Sequence, residues 1–434
     1  MQPTAPPGPH YPRPLQTLGW ITRPGPWLER CQRTYGDMFS IRIANEGTWV
    51  MLAHPDAVRQ VFTGDPNVLH AGEANAILRP IVGPNSVLLL DERAHMGQRK
   101  LMLPPFHGER MQRYGELMTD IAAADVASWP AGPDPLTLHP RMQSITLEII
   151  LRAVFGVRES ARLQELREQL SAVMDRTADP RVLAAMALLG PDRAMRIPGL
   201  KRTFAAVDEL VFKEIAAHRA DPDLESRDDI LSLLLQARHE DGSAMSDVEL
   251  RDELMTLLVA GHETTATSLS WAIERLLRHP DLFARLHEEV AAGGEDLLDA
   301  TIKETLRLRP VLPLVVRMLK EPMEIGGRML PAGVRAAPCI YLMHRRADIY
   351  PDPLAFRPER FLEKPPGTYT WIPFGGGVRR CLGASFAIFE MKAVLRAVMA
   401  GAVMRPSRPA AEKIRRRSIT LTPQRGAEVL VGAA

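Results

Sequence analysis

Apolar residues in this chain recur mostly at intervals of three and four, the spacing of one helix face. The pattern is clearest over residues 136–158, 163–176 and 204–219. Alternation is confined to short stretches. Residues 39–43 and 48–53 read as two strands joined across Asn45, Glu46 and Gly47, a hairpin. Pro55 opens a helix that runs to Gly64, because proline suits a helix's first turn. Pro104 and Pro105 break the next helical segment. Residues 323–330 read as a short strand and turn, and 418–422 with 428–431 as two more strands. The pattern predicts a mainly α protein with small β-sheets.

The longest helical stretch starts at Ser246, with Glu249 three residues on, a capping-box signature. It runs to about Arg278, where His279-Pro280 stops it. At about 1.5 Å per residue it spans nearly ~50 Å, enough to cross the whole molecule. Leu254, Leu257, Leu258, Leu269 and Ile273 give it the apolar surface of a central helix. Midway lie Ala260 and Gly261. Glycine inside a helix costs on the order of 1 kcal/mol relative to alanine, so Gly261 needs a reason. A helix–helix contact, close approach of a ligand and a kink all qualify. Thr264 can bond to the carbonyl a turn earlier and loosen the helix.

The chemistry concentrates at Phe374-Gly-Gly-Gly-Val-Arg-Arg-Cys381-Leu-Gly383. The amphipathic run over 384–400 places Cys381 at the mouth of a helix, where free N–H groups and the helix dipole favour an anion. A thiolate is the form of cysteine that binds metal. The glycines remove side chains, so a flat cofactor could come close. No Cys-x-x-Cys occurs, which excludes zinc-ribbon, dithiol-redox and covalent c-type haem patterns. Lys-Ser/Thr is missing after the glycines, so the loop is not a phosphate cradle. His262-Glu263 opens like a metalloprotease helix, but Ala266 stands where the second His is required. A single thiolate on a helix N-terminus suits a haem iron with an axial cysteine.

Phe374, Gly377, Arg379, Cys381 and Gly383 form a Phe-x-x-Gly-x-Arg-x-Cys-x-Gly pattern. It resembles the haem-binding loop of the cytochrome P-450 family, the haem-thiolate monooxygenases. Glu304-Thr-Leu-Arg307 resembles that family's Glu-x-x-Arg helix, Phe356-Arg-Pro-Glu-Arg360-Phe361 its Pro-Glu-Arg-Phe segment, and residues 260–265 its oxygen-activation helix. The resemblance implies one domain over 1–434, of the P-450 fold, with a long central helix over haem b. It implies Cys381 as the axial iron ligand. Phe374, Gly375, Gly383, Ala260 and Gly261 would lie against the cofactor, and His95, Arg99, Arg317 and Arg379 would hold its propionates. Thr264 would hydrogen-bond at the site of oxygen activation, and Glu263 would relay protons to it through water. Glu304, Arg307 and Arg360 would support the cysteine loop. Leu257, Leu312, Leu314, Val315 and Leu421 would line a substrate pocket, with 74–90 as an entrance loop. Met186 and Met195 offer further adaptable side chains, as core or as pocket.

Composition narrows the partners. Hydrophobic residues make up 46% and charged residues 24%, ordinary for a soluble globular protein. A net charge of +2 gives no case for nucleic acid. The three cysteines, Cys31, Cys339 and Cys381, are odd in number and widely spaced, which fits a reducing cytoplasm. The proline-rich residues 1–14 carry no apolar run for a membrane anchor and predict a poorly ordered terminus. No nicotinamide, flavin or ferredoxin signature follows Cys381. Electrons from NAD(P)H would therefore arrive through a ferredoxin or flavodoxin with its reductase. Arg110, Arg113, Arg379 and Arg380 are candidates for the docking face. The expectation is a cytoplasmic monomer that oxidises a hydrophobic molecule such as a terpenoid, steroid, fatty acid or polyketide. A haem-thiolate peroxygenase or isomerase, or a non-catalytic haem sensor, is the alternative.

Overall fold

The computed structural model describes residues 2–106, 110–156, 160–179, 181–182, 193 and 197–432. Met186 and Met195 lie outside the described residues.

The central helix is Asp247–Leu277, 31 residues long. Its capping box is formed: the Glu249 N–H donates to the Ser246 hydroxyl at 3.2 Å, and the Ser246 N–H donates to the Glu249 carboxylate at 2.8 Å. Leu254, Leu258, Leu269 and Ile273 are buried, and so are Trp271 and Ala272 between them. A helix covered this completely lies inside a protein. It packs against Leu138–Phe155 on one flank and against Ala384–Gly401, the helix that follows Cys381, on another. Asp296–Leu308 and Pro198–Arg219 complete the cage.

The predicted hairpin pairs Met38–Ile43 with Gly47–Leu52, Met38 facing Leu52 and Ile43 facing Gly47. Asn45 and Gly47 turn the chain with φ of 60° and 79°. The hairpin extends into a five-stranded sheet: Arg335–Pro338 runs parallel to its second strand, followed by Arg317–Leu319 and Leu69–His70. These added strands are two to four residues long, too short to show alternation in sequence. Met323–Ile325 and Arg328–Leu330 form the expected small turn. In the tail, Thr420–Pro423 and Glu428–Val431 are strands, but they join different sheets, with Ile414–Arg417 and with Met404–Pro406.

The proline-rich terminus is packed where its composition suggested little order. The Thr4 N–H donates to Met329 O at 3.1 Å, and Pro7 O accepts from the Ser40 N–H at 2.9 Å. Pro9 O accepts from the Gln16 side chain at 2.9 Å. Proline lacks an N–H but keeps its carbonyl, so Pro7 serves as an acceptor for the sheet edge and Pro9 for the first helix. Among the described residues, no helix is long and apolar enough to cross a membrane.

Candidate functional site

Cys381 ends a loop of tight turns. The Gly375 N–H donates to Ile372 O and the Cys381 N–H to Phe374 O, each at 3.0 Å. Gly375 and Gly377 have φ of 67° and 64°, the left-handed region that glycine enters freely. A Cβ at Gly377 would lie 1.9 Å from the Phe62 carbonyl oxygen, and one at Gly376 2.2 Å from the Phe62 ring. Phe62 belongs to the helix Pro55–Thr63. Gly376 and Gly377 are therefore demanded by a neighbouring helix, where the sequence suggested a flat cofactor. Gly383 is the N-cap of Ala384–Gly401, with no atom within 4 Å of where a Cβ would stand. Phe374 is half-buried, its ring edge-on to Trp371 at 6.0 Å.

Cys381 is solvent-accessible although it lies deep in the protein. Burial raises its thiol pKa, while the Gly383 N–H and the Arg99 and Arg380 charges pull the other way. Burial wins, so the loop alone does not ionise the sulfur. A bound cation would reverse that balance.

Four residues named from sequence converge on one region. Burial, then Arg379, Arg99 and Arg317, pushes His95 down to about 3. His95 thus stands among the three arginines, at the place where an anionic group would meet all four side chains. Arg379 donates to Val87 O at 3.1 Å, to Leu90 O, and to the Asp91 carboxylate at 2.5 Å. Arg99 donates to Arg380 O at 2.8 Å and feels the Cys381 sulfur. Arg317 is 6% exposed and donates only to Val316 O among the described bonds. Burial, then Arg379, lowers its pKa to about 9. Among the described residues, neither Arg99 nor Arg317 forms an ion pair with a carboxylate. Buried Arg317, and Arg99 beside the accessible sulfur, are two positive charges without carboxylate partners among the described residues, and they fit a metal-bearing dianion such as haem with its two propionates.

On the central helix, Ala260 is exposed while Leu258, His262 and Thr265 around it are buried. An exposed alanine midway along a buried helix marks an internal opening. Thr264 Oγ1 donates to Ala260 O at 2.7 Å. Leu257 is half-buried on the same helix, and Leu312, Leu314 and Val315 are half-buried on the strand approach. Val315 Cγ1 lies 3.6 Å from where a Gly375 Cβ would stand, which ties that segment to the cysteine loop.

Gly261 and Leu421 have close packing partners. A Cβ on Gly261 would meet Ile150 Cδ1 at 2.4 Å, so Gly261 gives room to the helix Leu138–Phe155. Packing against that helix is thus one reason for the glycine. Leu421 is 1% exposed and packs among Trp20, Val316 and Tyr341. Its N–H and carbonyl are bonded to Val311 O and the Trp271 indole, which closes it into the core.

Glu263 is not solvated. It accepts from the Gln143 amide at 2.6 Å and lies 3.5 Å from His139 and 3.9 Å from Arg417. Burial alone would raise its pKa, but His139 and Arg417 overcome it and the carboxyl sits below its ordinary value. His139 and Gln143 are four apart on the next helix, and nothing in their own sequence signals this partnership.

The supporting triad is formed. Arg307 donates to both Glu304 oxygens, at 2.6 and 2.8 Å, and both residues are fully buried. Arg360 donates to Glu304 at 3.2 Å, and the Arg357 N–H adds a bond at 2.9 Å. The proposed docking arginines scatter. Arg379 turns inward to Asp91, Arg113 pairs with Asp228, and Arg380 stays exposed. The Arg110 side chain lies outside the description.

The chain is similar to known proteins along nearly its whole length. Residues 6–426 match the family model described as cytochrome P-450. The chain is 43% identical over 436 residues to a Mycobacterium tuberculosis protein bearing the name cytochrome P-450 135B1, across 99% of this chain and 91% of that one. It is 38% identical over 403 residues to one named cytochrome P-450 137 from the same species, across 92% and 84%. A retinoic acid-bound cyanobacterial CYP120A1 superposes with a TM-score of 0.85 at 23% identity, covering 100% of both chains. The heme domain of a cytochrome P-450DA mutant does so with the same score and identity, over 100% of this chain and 98% of that one.

Proposed function

Because the chain belongs to the cytochrome P-450 family, whose cofactor is a thiolate-ligated haem b, we propose that Cys381 is its iron ligand. The protein is a haem-thiolate monooxygenase, with O2 as co-substrate and electrons from NAD(P)H through partner proteins. Its haem supplies oxygen activation, and the thiolate strengthens it by donating electron density.

The chain's own residues prepare the site. Arg99 and Arg317 would hold the two propionates, with Arg379 and His95 as further donors beside them. Phe374, Gly375 and Gly383 would lie against the cofactor from the cysteine loop, and Ala260 would leave space for it on the central helix. The Thr264 hydroxyl, stored on Ala260 O, would be available as a hydrogen-bond donor where oxygen is activated, and Glu263 would relay protons to it through water. His139 and Arg417 keep Glu263 ionised, and the Gln143 amide orients it. Glu304, Arg307 and Arg360 hold the frame. Leu257, Leu312, Leu314 and Val315 favour an apolar substrate by excluding water from its surface. Hydroxylation or epoxidation of a terpenoid, steroid, fatty acid or polyketide fits that lining, as in secondary metabolism. The electron donor is a ferredoxin or flavodoxin, and the enzyme acts as a cytoplasmic monomer of one domain.

The observation that carries this reading is Arg99, which lies beside the Cys381 sulfur and, with Arg317, has no carboxylate partner among the described residues. The test is the carbon monoxide spectrum of the reduced, haem-loaded protein. A thiolate signature is expected, and Cys381→Ser should abolish it while leaving the fold intact. An imidazole-type spectrum in the wild type would refute the assignment.

A further inference from the structure

Arg307 and His344 bond to each other twice. The Arg307 guanidinium donates to the His344 carbonyl oxygen at 2.7 Å, and His344 Nδ1 lies 3.2 Å from the Arg307 carbonyl oxygen. The ring's other nitrogen, Nε2, accepts from the Ile372 N–H at 2.9 Å. That bond fixes the tautomer: Nε2 carries the lone pair, so Nδ1 carries the proton and donates to Arg307. His344 is fully buried, and burial, then Arg307 and Arg345, holds it well below its ordinary pKa. It is a neutral ring with both nitrogens satisfied.

Ile372 stands at the entry to the cysteine loop. It is 1% exposed, so its N–H needs a protein partner. That partner is a side chain 28 residues earlier in sequence. From Ile372 the bonds continue: its carbonyl accepts from Gly375, and the Phe374 carbonyl accepts from Cys381. His344 is thus the joint between the buried Glu304–Arg307 pair and the backbone that presents the sulfur.

We propose that His344 is a positioning residue that registers the Cys381 loop on the Glu304–Arg307–Arg360 triad and so sets where the sulfur is presented to the iron. The proposal rests on the assignment of Cys381 as the ligand. Its physical basis is the bonded path from the triad to the loop: Arg307 to His344, His344 to the Ile372 N–H, and Ile372 to the turns at Gly375 and Cys381. A hydrogen bond keeps its strength only over a narrow range of distance and angle, so a ring held by Arg307 fixes the position of Ile372 and of the turns that follow it. Without that acceptor the buried Ile372 N–H is left unpaired, and the loop shifts to find another partner.

The experiment compares His344→Leu and His344→Gln in the haem-loaded, reduced, carbon monoxide-bound enzyme. The leucine variant removes the acceptor for the Ile372 N–H. The ratio of neutral-thiol to thiolate signature should rise by roughly fivefold or more, the weight of one lost buried hydrogen bond. The glutamine oxygen can take over as acceptor, so His344→Gln should stay near the wild-type ratio. A histidine that only stabilised the fold would lower the melting temperature without moving that ratio in the protein that remains folded, and this result overturns the proposal. Should the leucine variant not fold, amide exchange in the wild type decides. The Ile372 N–H must then exchange as slowly as amides of the helix Asp296–Leu308, and fast exchange refutes the link. Absence of a thiolate signature in the wild type would instead refute the Cys381 assignment.

Discussion

The Thr264 hydroxyl donates to the Ala260 carbonyl oxygen at 2.7 Å, at the one place where the central helix has an exposed alanine amid buried neighbours. The bond occupies the hydroxyl and pulls an acceptor away from the helix ladder, so the helix is loosened where the site opens. A group held this way is stored on the helix and released by a change of one rotamer. Thr264→Val keeps the shape and removes the hydroxyl. Product per NAD(P)H should fall by roughly tenfold while peroxide rises, in keeping with the loss of a proton-handling group. Thr264→Ser should preserve most of the coupling. Parallel assays of product, peroxide and cofactor consumption check this, and full coupling in the valine variant would remove Thr264 from the role.

Glu304 carries the charge of two arginines inside the protein. Glu304→Ala strands Arg307 without a counter-ion and should cost about 3–5 kcal/mol. Urea denaturation and haem content of the purified protein measure it. Normal haem loading with an unchanged midpoint would mean that the triad does not support the loop.

Gly261 makes room for Ile150. Gly261→Ala brings the new Cβ against Ile150 Cδ1, and overpacking of this kind costs about 1–3 kcal/mol, less the roughly 1 kcal/mol that alanine gains over glycine inside a helix. Ile150→Val deletes that methyl, so the double variant should recover most of the lost melting temperature. If haem content fell in both variants without recovery in the double, the glycine would be serving the cofactor after all.

Two buried groups should tilt stability with pH in opposite senses. His95 is held at about 3 by burial and three arginines, against an ordinary value of 6.5. Between those values the unfolded chain binds the extra proton, so stability of the haem-free protein falls as pH drops from 6.5 toward 3. Glu390 is raised to about 8 by burial, from 4.5. There the folded state keeps the proton longer, so its contribution is complete below 4.5 and is lost as pH rises through about 8. His95→Gln should flatten the acid limb and Glu390→Gln the alkaline limb. Denaturation midpoints across pH give both slopes, and an unchanged acid limb in His95→Gln would show that this ring is not held neutral.

Much of the fold was legible because its signals are local. The capping box at Ser246 and Glu249 lies within four residues, and the hairpin at Asn45–Gly47 needs only a turn and two alternating runs. The spacing of Glu304 and Arg307 already places them on one face, and their pairing followed. Reading stopped where the partner lies far along the chain. The strands 317–319 and 335–338 exist because the hairpin offers an edge to pair with, and three or four residues carry no pattern of their own.

The sequence by itself determined that a cysteine begins a helix, that a long buried helix crosses the molecule, and that glycines must bend the loop between them. Those are consequences of spacing and backbone freedom over a few residues. Only the tertiary structure decided what each glycine yields to, which arginines lack a carboxylate, and which histidine carries the triad to the loop. Gly261 answers to Ile150, Gly377 to Phe62, and Ile372 to His344, each separated by at least 28 residues of chain. Contact energies depend on distance in space and not in sequence, so these assignments waited on the packing.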